Sequence, residues 1–155
     1  MHFGQEIISV TKGKKTSMFV DMDGVITDYN FGKKLDFLNK RPLNTNIRTL
    51  EKISKLPNIN LYILSICREE KEIDYKNQWL DKYAPYFKKD NRIIIPRDKH
   101  TDLKSKEIKE LYLRETITKM EDQIIIVIDD DNEILKYLKS KFNNIVFYQD
   151  SSLID

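Results

Sequence analysis

The sequence predicts an α/β fold in which a parallel β-sheet carries helices on both faces. Short apolar segments that are typical of buried strands alternate with segments whose apolar residues recur at helical spacing. Residues 124–128 (Ile-Ile-Ile-Val-Ile) are continuous and β-branched, which is typical of a central strand in a parallel sheet. Regular alternation of strands and helices favours helices on both sides of one sheet.

The first half of the chain contains two predicted strands and one predicted helix. Residues 18–20 form the first clear strand, and residues 7–10 are a candidate short edge strand within an N-terminal extension of residues 1–16. A helix is expected over residues 45–56, because the apolar residues there recur on one side and a proline follows. Residues 61–64 form the next buried strand.

The second half of the chain continues the alternation. We expect a helix over residues 73–83 and a strand over residues 92–95, each followed closely by a proline. Helical apolar stripes cover residues 108–113 and 134–142, on either side of the central strand. Residues 145–148 form the last predicted strand.

The bulk composition is that of one ordinary domain spanning residues 1–155. Of the 155 residues, 40% are hydrophobic, enough for a buried core without disulfides, and the net charge of +2 does not by itself indicate nucleic-acid binding. Cys67 is the only cysteine, which excludes an internal disulfide and indicates a packed thiol in a reducing compartment. The sequence carries no secretory signal and no membrane-length apolar stretch, so we expect a cytoplasmic protein.

Residues that can bind phosphate or metal follow four of the predicted strands. Ligands in parallel α/β folds bind beyond the carboxyl ends of the strands, so these residues are expected to meet at one edge of the sheet. In chain order they are Asp21 and Asp23, Ser65, the basic loop 97–100 with Lys104 and Lys106 behind it, and the three aspartates 129–131. Four such strand ends form a more specific signal than any single motif.

Asp21 and Asp23 end the first strand one residue apart. Alternate residues of an extended strand point the same way, and two carboxylates that converge repel each other. A bound divalent cation would relieve that repulsion, although an Asp-Gly pair such as Asp23-Gly24 also suits a simple turn. The residues at the other strand ends favour the interpretation of Asp21 and Asp23 as a cation site.

This set of residues suits hydrolysis of a phosphate monoester, which needs a nucleophile, a proton donor and positive charge on the phosphoryl oxygens. Asp21 is the candidate nucleophile that forms an aspartyl-phosphate, and Asp23 is the candidate acid and base. Mg2+ is the expected cofactor, with Asp21, the Asp23 carbonyl and Asp130 as ligands and Asp129 as a second contributor. One aspartate of the triplet 129–131 is also expected to cap the next helix.

Residues from the middle of the chain are expected to contact the substrate. Ser65 would donate a hydrogen bond to a phosphoryl oxygen, and a lysine would supply fixed charge. We assign that lysine to Lys104, with Lys106 as the alternative, because both lie near the start of the same predicted helix. Gly24 and Arg68 follow the first and second strands and are candidate substrate-binding residues.

The ordered motifs resemble those of the haloacid dehalogenase (HAD) superfamily of phosphatases. The resemblance covers residues 18–148, and its motifs are Asp21-Met-Asp23-Gly24, Ser65, Lys104 and Asp129-Asp130. It implies a Rossmann-like HAD core, dependence on Mg2+ and the catalytic roles given above. Between Asp23 and Ser65, about twenty residues remain for a cap once the predicted helix is removed, so we expect a minimal or absent cap.

Two branches of the superfamily are the most similar. Residues 76–83, 91–96 and 127–132 are similar to bacterial relatives of the 5'(3')-deoxyribonucleotidases. Residues 65–69 and the lysine-rich segment before residue 108 are instead similar to polynucleotide 3'-phosphatase domains. The resemblance therefore implies a phosphatase with an open site. Its expected substrate is a small phosphorylated molecule, a nucleotide, and the alternative substrate is the end of a nucleic acid.

Two classes without hydrolase activity are the rival interpretations. A phosphorylation-switch receiver also places aspartates, a hydroxyl and a lysine around Mg2+, but its phosphoacceptor lies mid-chain and its lysine follows the last strand. Here the candidate nucleophile Asp21 comes first and the acidic residues 129–131 follow the lysine, which disfavours a receiver. An inactive binding module is disfavoured because Asp21 and Asp23 are both present.

Overall fold

A five-stranded parallel sheet forms the centre of the molecule. The structure is a computed structural model that describes residues 2–28, 37–122 and 124–154. Its strands are β1 (Thr16–Val20), β2 (Ile59–Cys67), β3 (Arg92–Pro96), β4 (Ile124–Asp129) and β5 (Ile145–Gln149). They pair in parallel in the order β3-β2-β1-β4-β5, which confirms the predicted sheet.

Helices cover both faces of the sheet, as predicted. They are α1 (Phe3–Thr11), α2 (Asn44–Ser54), α3 (Lys71–Tyr83), α4 (Ser105–Ile117) and α5 (Asn132–Lys141). The first three pack with Met18 and Val20 in one apolar core, whereas α4 and α5 pack with Phe19 in a second core on the opposite face. Alternate residues of β1 therefore contribute to two cores. In the part of the chain that the structure describes, no helix is both long and apolar enough to cross a membrane.

The N-terminal segment is a helix, so the prediction of a short edge strand at residues 7–10 is wrong. Helix α1 buries Phe3, Ile7 and Thr11, which are four residues apart and therefore share one face of a helix. Lys12 ends this helix in the left-handed conformation, with a φ of 49°. The edges of the sheet are β3 and β5, and the N-terminal segment adds no strand to them.

The register of β1 brings the ends of two strands together at the carboxyl edge of the sheet. Val20, the last residue of β1, pairs with Ile63 of β2 and with Ile128 of β4. Directly after β1, the Asp21 N–H donates a hydrogen bond to the Ile128 carbonyl of β4 at 3.0 Å. Asp21 therefore lies beside Asp129, the residue that ends β4.

A tight turn follows β1 and positions Asp23. The Met22 carbonyl accepts hydrogen bonds from the N–H groups of Ile26 at 2.9 Å and Thr27 at 3.1 Å. Gly24 has a φ of 80°, in the left-handed region that glycine adopts without the steric cost of a side chain. The Asp23-Gly24 pair thus forms a turn and also presents a carboxylate at the strand end.

The connection between β1 and α2 is closed at its base by backbone hydrogen bonds. The Asp28 N–H donates to the Arg41 carbonyl at 2.9 Å, and the Leu43 N–H donates to the Ile26 carbonyl at 2.8 Å. Residues 29–36, on which the prediction of a minimal cap partly depends, lie outside the described residues. The two described arms of the connection therefore meet beside the turn that carries Asp23.

The core between the sheet and α5 provides a test of the packing. Replacing Leu138, which is fully buried, by alanine is expected to lower the free energy of unfolding by about 2 to 5 kcal/mol, because a cavity replaces buried methyl groups. Leu111→Ala is the matched control, since this leucine is 48% exposed and its loss should cost less than about 1 kcal/mol. Urea unfolding monitored by circular dichroism measures both values, and equal losses would contradict the packing.

Candidate active site

Three carboxylates meet at the carboxyl edge of the sheet. Asp21 follows β1, Asp129 ends β4, and Asp130 is the next residue along the chain. One carboxylate oxygen from each residue lies within 4.8 Å of the other two. We call these three residues the acidic cluster. The structure therefore brings together the aspartates that the sequence places at opposite ends of the chain.

Burial and nearby negative charge raise the pKa of two members of the acidic cluster, Asp21 and Asp130. Burial raises the pKa of Asp21 well above its ordinary value, and the Asp129 carboxylate adds to this rise while Lys109 opposes it. Burial also raises the pKa of Asp130 to about 6, with a further contribution from the negative charge of Asp150. A divalent cation bound between these carboxylates would remove the penalty on their ionised forms.

The donor chemistry of the acidic cluster fits Mg2+. This ion prefers oxygen ligands in an octahedron, so that neighbouring ligand oxygens lie roughly 3 Å apart and opposite ones roughly 4 Å apart. Carboxylate oxygens within 4.8 Å of one another are close to this spacing. Carboxylate ligands also suit Mg2+ better than softer metals, which prefer nitrogen and sulfur.

A buried lysine supplies positive charge to the acidic cluster. Lys109 of α4 is 3% exposed, and its Nζ lies 3.2 Å from Asp21 Oδ1 and 2.6 Å from Asp129 Oδ2. Burial alone would lower the pKa of Lys109, but the attraction of these two carboxylates outweighs it and raises the pKa above its ordinary value. The ammonium group is therefore a fixed positive charge beside the candidate nucleophile.

Asp23 lies in a different environment from Asp21. Its Oδ1 is 2.6 Å from the Lys40 Nζ, and its Oδ2 is 3.1 Å from the Lys76 Nζ. The Thr27 hydroxyl donates to Asp23 Oδ1 at 3.2 Å. Burial would raise the pKa of Asp23, but Lys76 and Lys40 outweigh burial and hold it below its ordinary value. Carboxyl groups whose pKa values are displaced in opposite directions are typical of acid–base sites.

Ser65 is joined to Asp23 through a buried ammonium group. Lys76 of α3 is 2% exposed, and its Nζ donates to the Ser65 hydroxyl oxygen at 2.7 Å as well as to Asp23. The Phe37 ring lies 5.0 Å from the Lys76 Nζ and 4.7 Å from the Lys40 Nζ. Both ammonium groups that hold Asp23 therefore also contact one aromatic ring, which stabilises cations at such distances.

The contacts described for the lysines predicted from the sequence do not include the acidic cluster. Lys104 is exposed at the N-cap of α4, where its backbone N–H donates to Glu107 at 3.0 Å. Lys106 pairs with Glu133 at 3.2 Å. The lysine of α4 that contacts the candidate nucleophile is Lys109, which lies farther along the same helix.

Two of the lysines at the site carry a sequence signal that the prediction missed. Lys109 precedes the buried Leu113 by four residues, and Lys76 precedes the buried Leu80 by four residues. Each lysine therefore lies on the buried side of its helix, where an ammonium group needs acidic or polar partners. Lys40 lies in the connection between β1 and α2, where the sequence carries no comparable signal.

The remaining predicted residues have mainly structural contacts. Arg68 is exposed after β2, and its carbonyl accepts a hydrogen bond from the Asp98 N–H at 3.3 Å, which joins the loops after β2 and β3. Asp131 caps α5 through its side chain, so the expected cap within the aspartate triplet is confirmed. Cys67 is buried, and burial raises its pKa to about 11, as expected of a packed thiol.

Comparison with known proteins identifies the fold. No protein-family model and no curated protein matches the chain. One similar solved structure is the Pnkp1/Rnl/Hen1 RNA repair complex, with a TM-score of 0.61 and 15% identity over 88% of this chain. Another is the N-terminal part of the protein BF1531 from Bacteroides fragilis, which contains a phosphatase domain complexed with Mg, with a TM-score of 0.59 and 13% identity over 92% of this chain.

Both likenesses concern the fold, because the sequence identities are low. The chain spans 42% of the first of these two chains and 38% of the second. Together with the sheet order and the helices on both faces, they confirm the predicted Rossmann-like α/β fold.

The acidic cluster predicts a specific response to Mg2+. Adding MgCl2 should raise the melting temperature of the protein, because a cation bound only by the folded state adds about 2.7 kcal/mol of stability at a hundredfold excess over its dissociation constant. The substitution Asp130→Asn should remove most of this rise, since one ligand of the acidic cluster loses its charge.

The control is Asp90→Asn, which removes an exposed aspartate just before β3, at the other edge of the sheet. Differential scanning fluorimetry over a MgCl2 titration measures all three proteins. An equal rise in the wild type and in Asp130→Asn would exclude the acidic cluster as the metal site.

Proposed function

We propose that the chain is a Mg2+-dependent phosphomonoester hydrolase that works through an aspartyl-phosphate on Asp21. The observation that carries this proposal is the position of Asp21 between two sets of groups. On one side lie Lys109 and the other members of the acidic cluster, and on the other side lies Asp23 with its two lysines. A nucleophile, an acid–base group and fixed positive charge are the parts that this reaction needs.

The residues proposed to hold Mg2+ are Asp21, Asp129 and Asp130, together with the Asp23 backbone carbonyl. When bound, the ion would supply the positive charge that lets an anionic nucleophile approach an anionic phosphate. Lys109 contributes a permanent charge at the same place, 3.2 Å from Asp21. We therefore assign to Lys109 the phosphate-neutralising role that the sequence motif suggests for Lys104.

In the first step, an Asp21 carboxylate oxygen attacks phosphorus, and the bond from phosphorus to the ester oxygen breaks. The substrate enters as a phosphate monoanion, and its proton passes to the Asp23 carboxylate. Asp23 then gives this proton to the departing oxygen. In the second step, ionised Asp23 takes a proton from water, whose oxygen attacks phosphorus. The bond from phosphorus to the Asp21 oxygen breaks, which releases inorganic phosphate and regenerates the Asp21 carboxylate. Lys40 and Lys76 favour the ionised form that this second step requires.

Nucleotides are the substrates that we propose, with a nucleic-acid end as the second candidate. The resemblance of residues 76–83 to nucleotidases supports the first, and the likeness of the fold to a chain of an RNA repair complex supports the second. The short connection between β1 and α2 also suits a bulky substrate. Rates on nucleoside 5'-monophosphates, nucleoside 3'-monophosphates and 3'-phosphorylated oligonucleotides would distinguish the two candidates.

Replacing the nucleophile provides the main test of the proposed activity. Asp21→Asn should lower the turnover of p-nitrophenyl phosphate by about three orders of magnitude or more, because the amide cannot form the aspartyl-phosphate. The control Asp90→Asn should retain the wild-type rate. Phosphate release in the presence of MgCl2 measures both, and near-normal activity of Asp21→Asn, or no activity of the wild type, would refute the proposal.

The two lysine assignments can be compared directly. Lys109→Met should lower kcat/KM by about a hundredfold or more, because a buried charge beside Asp21 is lost, whereas Lys104→Met should change it by less than about threefold. Steady-state kinetics on p-nitrophenyl phosphate measure both variants. A larger loss in Lys104→Met would return the role to that residue.

A further inference from the structure

We propose that Lys76 is a positioning residue, which orients the Ser65 hydroxyl so that its hydrogen points toward the phosphoryl group. This inference rests on the proposed phosphatase function, because it assigns Ser65 to the phosphate of that substrate. The sequence motifs assign no role to Lys76 itself, although it begins the segment 76–83 that resembles nucleotidases. The case for it depends on the hydrogen bonds of a single buried nitrogen.

The Lys76 Nζ has three acceptors in the structure. It lies 2.7 Å from the Ser65 hydroxyl oxygen, 3.1 Å from Asp23 Oδ2 and 3.0 Å from the Ile66 carbonyl. An ammonium group has three N–H donors and no acceptor. All three donors are therefore in use, and Lys76 acts through its neighbours and not by contact with substrate.

The direction of the Ser65 hydrogen follows from this donor count. Since an ammonium group can only donate, the Ser65 oxygen must accept from Lys76, and its own hydrogen is left to donate elsewhere. Within residues 2–28, 37–122 and 124–154, the hydrogen bonds of Ser65 include no acceptor for that hydrogen. A phosphoryl oxygen bound between Ser65 and Asp21 would be such an acceptor.

The same nitrogen also fixes the distance between Ser65 and Asp23. Ser65 in β2 and Lys76 in α3 are both buried, so the surrounding packing restricts the rotation of each side chain. Ser65 lies on the strand next to β1, and the ammonium group bridges it to the turn that follows β1. A phosphate bound by Ser65 is thereby held at a set position relative to the acid–base group.

Lys40 offers a matched control inside the same site. It is also a buried lysine that pairs with Asp23, at 2.6 Å, and it also lies over the Phe37 ring. Its hydrogen bond goes to the other carboxylate oxygen of Asp23, and the bonds described for Lys40 do not include Ser65. Loss of charge beside Asp23 is therefore common to both lysines, whereas contact with Ser65 belongs to Lys76.

The test is a double-mutant cycle on the binding of inorganic phosphate, measured by calorimetry in the presence of MgCl2. Lys76→Met should weaken binding about tenfold in the wild type and less than about twofold in Ser65→Ala, because contacting residues have coupled effects. Lys40→Met should weaken binding by the same factor in both backgrounds. Equal factors for Lys76→Met in the two backgrounds would overturn the proposal.

Two additions keep the test decisive. Where Lys76→Met does not fold, as judged by circular dichroism, the cycle is run with Lys76→Arg, which keeps the charge but donates with a different geometry. A structural role alone would lower the melting temperature and leave the phosphate affinity of the folded protein unchanged. That result would also overturn the proposal.

Turnover of p-nitrophenyl phosphate separates this inference from the proposed function. If the wild type binds phosphate with the expected coupling but shows no turnover, the phosphatase function fails and the role of Lys76 stands. If the wild type turns over substrate and the effects of Lys76→Met and Ser65→Ala are independent, the role of Lys76 alone fails. Absence of phosphate binding by the wild type would overturn both.

Discussion

The balance of charge at the carboxyl edge of the sheet is the constraint on which the whole site depends. Parallel strands end together there, and the register of β1 against β4 places Asp21 beside Asp129. Ionised carboxylates so close together repel one another, more strongly where burial excludes water. Lys76 and Lys109 come from helices on opposite faces of the sheet, so compensating charge reaches this edge from both sides.

The neighbours of each aspartate, and not its place on the strand, give it its chemical character. Asp21 and Asp23 are one residue apart on the same strand end. Asp21 faces other carboxylates, which favour a cation, whereas Asp23 faces two ammonium groups, which favour its ionised form. Because the lysines belong to separate helices and a connection, the division of roles between the two aspartates is a property of the tertiary structure.

The sheet and the aspartates were predicted from the sequence, whereas the buried lysines and the first helix were missed. Strand ends can be located from periodicity, so the positions of Asp21 and Asp129 at one edge followed directly. Helix α1 was missed because the β-branched residues Ile7, Ile8 and Val10 are also typical of a strand, and the four-residue spacing of Phe3 and Ile7, which indicates a helix, was not used. Lys109 was missed although it precedes Leu113 by four residues, because the aspartates that accept its charge are brought to it only by packing across the sheet.

Backbone hydrogen bonds close the base of the connection after β1, so one loop could be replaced by another at this position. The bonds from Asp28 to Arg41 and from Leu43 to Ile26 fix the points at which the chain departs and returns. Because the entropy cost of closing a loop grows slowly with its length, longer insertions between residues 28 and 37 would be tolerated. The length of this connection could thus change, by evolution or by grafting, while the turn that carries Asp23 keeps its geometry.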